Sequence, residues 1–189
     1  MGMDTNEVAA LRSAGYLHDI GKVAVDKRLF GKPSSLDPEE FREMADHTTV
    51  GHQIVTGVQF PWPRVPEIVR WHHERADGSG YPDGLLNEDV PMQVRIVGLA
   101  DTFDAMTSPR PYREQISLGS TLTEIVRMTP QKFDSNAVHA LLVQLRRDAV
   151  GSNRAPFLES SAGHLAAPDI DHLAAMLQHK VSNGRLYLS

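Results

Sequence analysis

Apolar residues recur along this chain with a helical period almost throughout. Val8, Leu11, Tyr16 and Leu17 form a first stripe that ends where Gly21 interrupts it, which predicts a helix with His18 and Asp19 at its C-terminal end. Residues 27–35 carry Gly31 and Pro33 and are expected to form a connector. Asp37-Pro38-Glu39-Glu40 then has the order of a helix start, with Asp37 as N-cap, Pro38 in the first helical position and Glu40 as capping-box partner. His47 is expected near the end of that helix. Residues 65–75 predict another helix, with Ile68, Val69 and His72 on one side and His73 adjacent. The following stretch, ADGSGYPDGLLNEDVP, concentrates Gly78, Gly80, Pro82 and Gly84, and this turn chemistry predicts an exposed loop.

Helical periodicity resumes over residues 92–107, with Ile96, Leu99, Ala100 and Phe103 on the apolar side. Asp101 and Asp104 are spaced i, i+3 there, so both can face one cavity. Residues 122–128 and 136–147 are amphipathic and read as supporting helices, residues 150–168 as a flexible link, and residues 170–181 as a final helix. The pattern predicts an all-α fold, with one main domain over residues 1–149 and a linker plus C-terminal helix over residues 150–189.

With 189 residues, 41% hydrophobic and 23% charged, the chain can bury one proper core. A net charge of -5 and a pI near 6.0 argue against a broad surface for duplex nucleic acid, while leaving room for a local basic pocket. No apolar run is long enough to cross a membrane and no secretory pattern opens the chain, so a cytoplasmic protein is expected.

The residues able to bind metal are distinctive: His18-Asp19 in LHDIGK, His47, His72-His73 in WHHERADGSGYPDGL, and Asp101 in GLADTFDAMTS. Imidazole and carboxylate suit iron, manganese, nickel, cobalt or zinc, and without cysteine a thiolate zinc site is excluded. A carboxylate has two oxygens and can bridge two cations, which makes Asp19 the natural bridging ligand. These motifs lie far apart in sequence, so the fold must gather them.

LHDIGK, His47, HHERADGSGYPDGL and VGLADTFDAMTSPRPYR, in this order and spacing, resemble the HD-GYP family of HD-domain metal-dependent phosphohydrolases over residues 8–140. The resemblance implies an HD-type helical bundle with a Gly-rich GYP loop beside the metal site. It implies two transition-metal ions, iron or manganese first, with nickel, cobalt, zinc or magnesium as alternatives. The activity it implies is hydrolysis of cyclic di-GMP to pGpG or GMP by a metal-bridging hydroxide. It names His18, Asp19, His47, His72, His73 and Asp101 as ligands, and places Lys22 with Asp19 beside the reacting phosphate. Arg110 and Arg113 would reach phosphate or guanine, with Asp104 and Tyr81 as further substrate contacts. A diguanylate cyclase (GGDEF) or adaptor protein is the partner implied for the GYP loop. The sequence departs from the family pattern upstream of LHDIGK, where no histidine occurs and Glu7 is the only local stand-in for a further ligand. The expectation is an N-terminally truncated domain, whose uncovered apolar surface would favour a homodimer. The alternative to an enzyme is a domain that binds nucleotide or a protein partner without turnover.

Overall fold

The computed structural model describes residues 2–32, 34–60, 62–109, 115–150 and 165–185. Among them the regular structure is helical, with one isolated antiparallel bridge between Asp77 and Leu86. The chain forms two compact units, Met1–Gly98 and Leu99–Ser189.

The first unit contains α1 (Thr5–Leu17), two short 3-10 turns (Ile20–Ala24 and Lys27–Gly31), α2 (Pro38–Ala45), α3 (His47–Thr56), α4 (Val65–Trp71) and the start of α5 (Met92–Thr107). Side chains with a carboxylate set where α1 and α2 begin. Asp37 accepts the backbone N–H groups of Glu39 and Glu40, and Glu40 accepts that of Asp37, as the sequence predicts. Asp4 and Glu7 form the same reciprocal cap on α1.

The buried face of α1 differs from the expected stripe. Ala10 and Ala14 are buried, whereas Val8 is 48% and Tyr16 83% exposed. α1 packs against α4, and the two alanines allow that close approach while Val65, Ile68, Val90, Val94 and Val97 supply the bulk of the core. The segment expected as a connector contains the second 3-10 turn, capped by Asp26, which accepts the N–H of Arg28.

Two helix ends also fall elsewhere than expected. α2 stops at Ala45: the Asp46 N–H turns back onto the carbonyls of Arg42 and Met44, and His47 opens α3 instead of closing α2. α4 stops at Trp71, with His72 as its C-cap, and the Glu74 N–H turns back onto the Trp71 carbonyl at 2.8 Å. Glu74 is buried and accepts the backbone N–H groups of Asp83 (2.7 Å), Gly84 (3.0 Å) and Leu85 (3.0 Å). Asp83 is fastened as well, by a two-pronged pair with Arg70 at 2.8 Å and by the Trp71 indole N–H at 2.6 Å. The glycine-rich loop is therefore tied at residues 83–85 to the end of α4 and to Glu74 just beyond it.

Backbone meets backbone where α3 packs on the first 3-10 turn. A Cβ at Gly21 would lie 1.9 Å from the His47 carbonyl oxygen and 2.4 Å from the Gly51 nitrogen, so only glycine fits. Gly98 makes a similar approach, since a Cβ there would be 2.4 Å from the His72 carbonyl oxygen.

The second unit holds the rest of α5, then α6 (Leu118–Met128), α7 (Ser135–Val150) and the last helix, α8 (Ala167–Arg185). Residues predicted as amphipathic supports are helical and bury one face: Leu122 and Ile125 on α6, Val138 and Leu142 on α7, with Ile170 and Leu177 on α8. α8 packs on both α6 and α7, and its Lys180 donates to the carbonyls of Val126 (3.1 Å) and Arg127 (2.6 Å) at the end of α6. On α5 Leu99 is buried as expected, whereas Ala100 is exposed. Most of the predicted link lies outside the described residues.

Two outcomes are expected. Gly21→Ala should destabilise the fold by about 3 kcal/mol or more, because backbone must move to admit the methyl group. Gly15→Ala, on α1 with nothing near its Cβ, should stabilise it by roughly 0.5–1 kcal/mol. Thermal unfolding of both variants gives the comparison, and equal effects would contradict this packing. The second concerns Asp83, whose carboxyl is held below its ordinary value chiefly by the Arg70 hydrogen bond, with burial opposing and Trp71 assisting. A depressed folded value means this tie is fully present above the unfolded carboxyl value of about 3.9 and is lost as pH falls through the folded value. In a Trp62→Phe background, Trp71 emission should change only in acid, and Asp83→Asn should abolish that acid step.

Candidate metal centre

Three histidines each follow the end of a helix. His18 caps α1, His47 follows α2 by one turn residue, and His72 caps α4. Each ring places Nδ1 against the carbonyl three residues earlier: His18 on Gly15 at 2.8 Å, His47 on Met44 at 2.6 Å, His72 on Val69 at 2.8 Å. A carbonyl can only accept, so Nδ1 carries a proton in each ring, and a ring in its neutral form presents an Nε2 lone pair. The accepting carbonyls belong to last helical turns, where the regular i to i+4 ladder runs out.

Those lone pairs converge. Nε2 of His47 and Nε2 of His72 are 3.4 Å apart, and Asp19 Oδ1 is 3.4 Å from the His47 Nε2. Asp19 Oδ1 is buried and has no hydrogen-bond partner. Asp19, His47, His72 and His73 offer ligand atoms that all lie within 4.8 Å of one another. His47 and His72 are buried, while Asp19 and His73 are partly exposed. Burying an unpaired carboxylate oxygen beside facing lone pairs is costly, and a cation among them removes that cost at every atom together. The nitrogen and oxygen donor set therefore fits a transition-metal ion.

The protonation states favour the same use. Burial pushes His47 below its ordinary value, which keeps its ring neutral. For Asp19 burial acts to raise the carboxyl, but hydrogen bonds and charge from His18 and Lys22 outweigh it and hold the group ionised, well below the usual carboxylate range. Its two oxygens face different neighbours. Oδ1 faces the cluster, whereas Oδ2 takes the Lys22 ammonium at 2.5 Å and lies 3.4 Å from the His18 Nε2.

Of the other predicted site residues, His18 and Tyr81 adjoin this group. His18 packs edge-on against His72, with ring centroids 5.0 Å apart, outside the four-residue set. Tyr81 stacks on His73 at 4.7 Å and 30°, which brings the GYP loop against the cluster. Asp101 and Asp104 lie on α5 in the second unit, Asp101 partly buried and Asp104 exposed, accepting the Ser108 hydroxyl at 3.2 Å. Arg110 and Arg113 lie outside the described residues. Glu7 is not a substitute ligand: one carboxylate oxygen caps α1 and the other accepts from the Gln93 amide at 2.6 Å.

Sequence reasoning missed two residues. Glu74 anchors the loop, and its signal was a carboxylate placed directly after two histidines and before a run of free loop N–H groups. Phe41 meets the Tyr81 ring edge-on at 5.5 Å, and its signal was a large apolar residue on a short helix otherwise rich in charge.

A family model described as HD domain matches residues 1–137. The chain is 38% identical over 143 residues to the cyclic di-GMP phosphodiesterase response regulator RpfG of Xanthomonas campestris pv. campestris (strain 8004), covering 75% of this chain and 38% of that protein. It is 41% identical over 143 residues to a cyclic di-GMP phosphodiesterase of Thermotoga maritima, covering 75% of this chain and 39% of the relative. It is also 34% identical over 142 residues to 3'3'-cGAMP-specific phosphodiesterase 2 of Vibrio cholerae serotype O1, covering 75% of this chain and 27% of the relative. The chain thus spans under two fifths of the length of these curated relatives. Among the described residues no helix is long and apolar enough to cross a membrane. A helical unit that gathers these histidines from helix ends, together with the matched family model and relatives, places the chain in the HD-domain family, as a member of HD-GYP type.

Proposed function

We propose that this chain carries a metal-dependent phosphodiesterase centre that hydrolyses a cyclic dinucleotide, with cyclic di-GMP as the first substrate and pGpG or GMP as product. The observation that carries this reading is the convergence of imidazole Nε2 lone pairs on a buried Asp19 oxygen that has no hydrogen-bond partner. Relatives named for cyclic di-GMP and for 3'3'-cGAMP support the cyclic-dinucleotide class.

His47, His72, His73 and Asp19 would hold the ion; their nitrogen and oxygen donors suit iron, manganese, nickel, cobalt or zinc, and the family resemblance puts iron or manganese first. Asp19 turns one oxygen to that group and the other towards His18 and Lys22, the division required of a carboxylate shared between two ions. When bound, such ions acidify water and offset negative charge on a phosphoryl oxygen. The protein supplies the rest. Carbonyls of Gly15, Met44 and Val69 hold the rings in the ligating tautomer, so no reorganisation is needed before binding. Lys22 keeps a cation at the edge of the cluster, where it favours approach of an anionic phosphodiester. Tyr81 covers His73 and shields that side from water.

Metal analysis after anaerobic reconstitution with iron or manganese should find at least one equivalent per chain, and His72→Ala or Asp19→Ala should lower the affinity by about 10-fold or more, the least that even an outer-shell loss produces. Less than one equivalent in the wild-type protein would contradict the site. Product analysis then separates enzyme from binding module. The reconstituted protein should convert cyclic di-GMP to pGpG or GMP; retention of the nucleotide without product would favour a domain that binds and does not turn over.

A further inference from the structure

Phe41 belongs to α2, a helix that buries none of its residues, and its ring is 50% exposed. Such a ring contributes little to a core, yet its place is well defined. It stands edge-on to Tyr81 at 5.5 Å and 80°, and Tyr81 in turn stacks on His73, one of the clustered ligand-type residues. Two ring contacts thus connect the histidine cluster to an aromatic surface open to solvent.

We propose that the exposed Phe41 ring, braced edge-on by Tyr81, is the surface on which a purine base stacks while the nucleotide's phosphate lies at the histidine cluster. The proposal rests on the function given above and adds to it a base-binding subsite and the residue that makes it. α2 is suited to hold such a ring in place because polar ties anchor it at several points. Its N-terminus carries the Asp37–Glu40 capping box, Lys32 pairs with Glu40, and Glu43 accepts the Asp26 N–H at 3.0 Å. A rigid, pre-positioned aromatic surface loses little freedom when a base settles on it.

Stacking also suits the chemistry of the substrates. Every base has a π face, so an aromatic platform binds purines without reading their hydrogen-bonding edges. Guanine and adenine would both be accepted at this position. The nucleotides in the relatives' names, cyclic di-GMP and 3'3'-cGAMP, differ by one purine base.

The test is calorimetry on the metal-loaded protein with GMP and ribose 5-phosphate, which share sugar and phosphate and differ by the base. Phe41→Ala should weaken GMP about tenfold, the size expected for loss of one base–aromatic stack, and change ribose 5-phosphate less than twofold. AMP should be weakened to a similar degree, and Phe41→Trp should restore both nucleotides. Equal weakening of GMP and ribose 5-phosphate, or no change in GMP, would overturn the platform. The two readings fail separately. A wild-type protein that hydrolyses cyclic di-GMP while Phe41→Ala leaves GMP affinity unchanged loses the platform alone. A protein that binds GMP through Phe41 but forms no product keeps the platform and loses the catalytic reading, and one that takes up no metal and no GMP loses both.

Discussion

Three hydrogen bonds from imidazole Nδ1 to helix-end carbonyls determine what the first unit can do. The carbonyls of Gly15, Met44 and Val69 stand in the last turns of α1, α2 and α4, where the regular helical ladder runs out. By accepting from His18, His47 and His72 they fix the tautomer and aim every Nε2 outwards. One interaction therefore completes a helix end and prepares a ligand. Helix C-termini also carry partial negative charge, so several of them directed at one place favour a cation there.

Bringing these ends together demands very close backbone packing. Gly21 admits the His47 carbonyl and Gly98 admits that of His72, so the same residues that carry the rings are held by their main chains. The loop is fixed by a separate device, the buried Glu74 carboxylate and the Arg70–Asp83 pair, and Tyr81 reaches His73 as a consequence. What remains unbalanced is at the centre. Facing lone pairs and the buried Asp19 oxygen work against the fold until a cation is present, which couples metal binding to stability.

Much of this was legible in the sequence, for reasons that differ by residue. Helix starts are readable because Asp37 and Glu40 act within one turn, and the ligand-type residues because the His-Asp pair, His47, the His-His pair and Asp101 occur in combination. The buried face of α1 was misjudged because large apolar residues dominate a periodicity reading, while the helix packs through Ala10 and Ala14. The ends of α2 and α4 differ from the periodicity reading because backbone turns close them, the Asp46 N–H returning to Arg42 and Met44 and the Glu74 N–H to Trp71. Phe41 gave no periodic signal, since its partner Tyr81 lies far along the chain. Arg110 and Arg113, by contrast, remain readings from resemblance, because they lie outside the described residues.

The arrangement makes one geometric commitment that a single measurement can check. Anomalous diffraction at the metal edge, on crystals of the reconstituted protein, should show a peak at coordination distance, about 2.0–2.2 Å, from Nε2 of His47 and His72 and from Oδ1 of Asp19. The Nδ1 atoms should stay on their helix-end carbonyls. A peak bound through Nδ1, or metal held elsewhere with these rings unchanged, would contradict it.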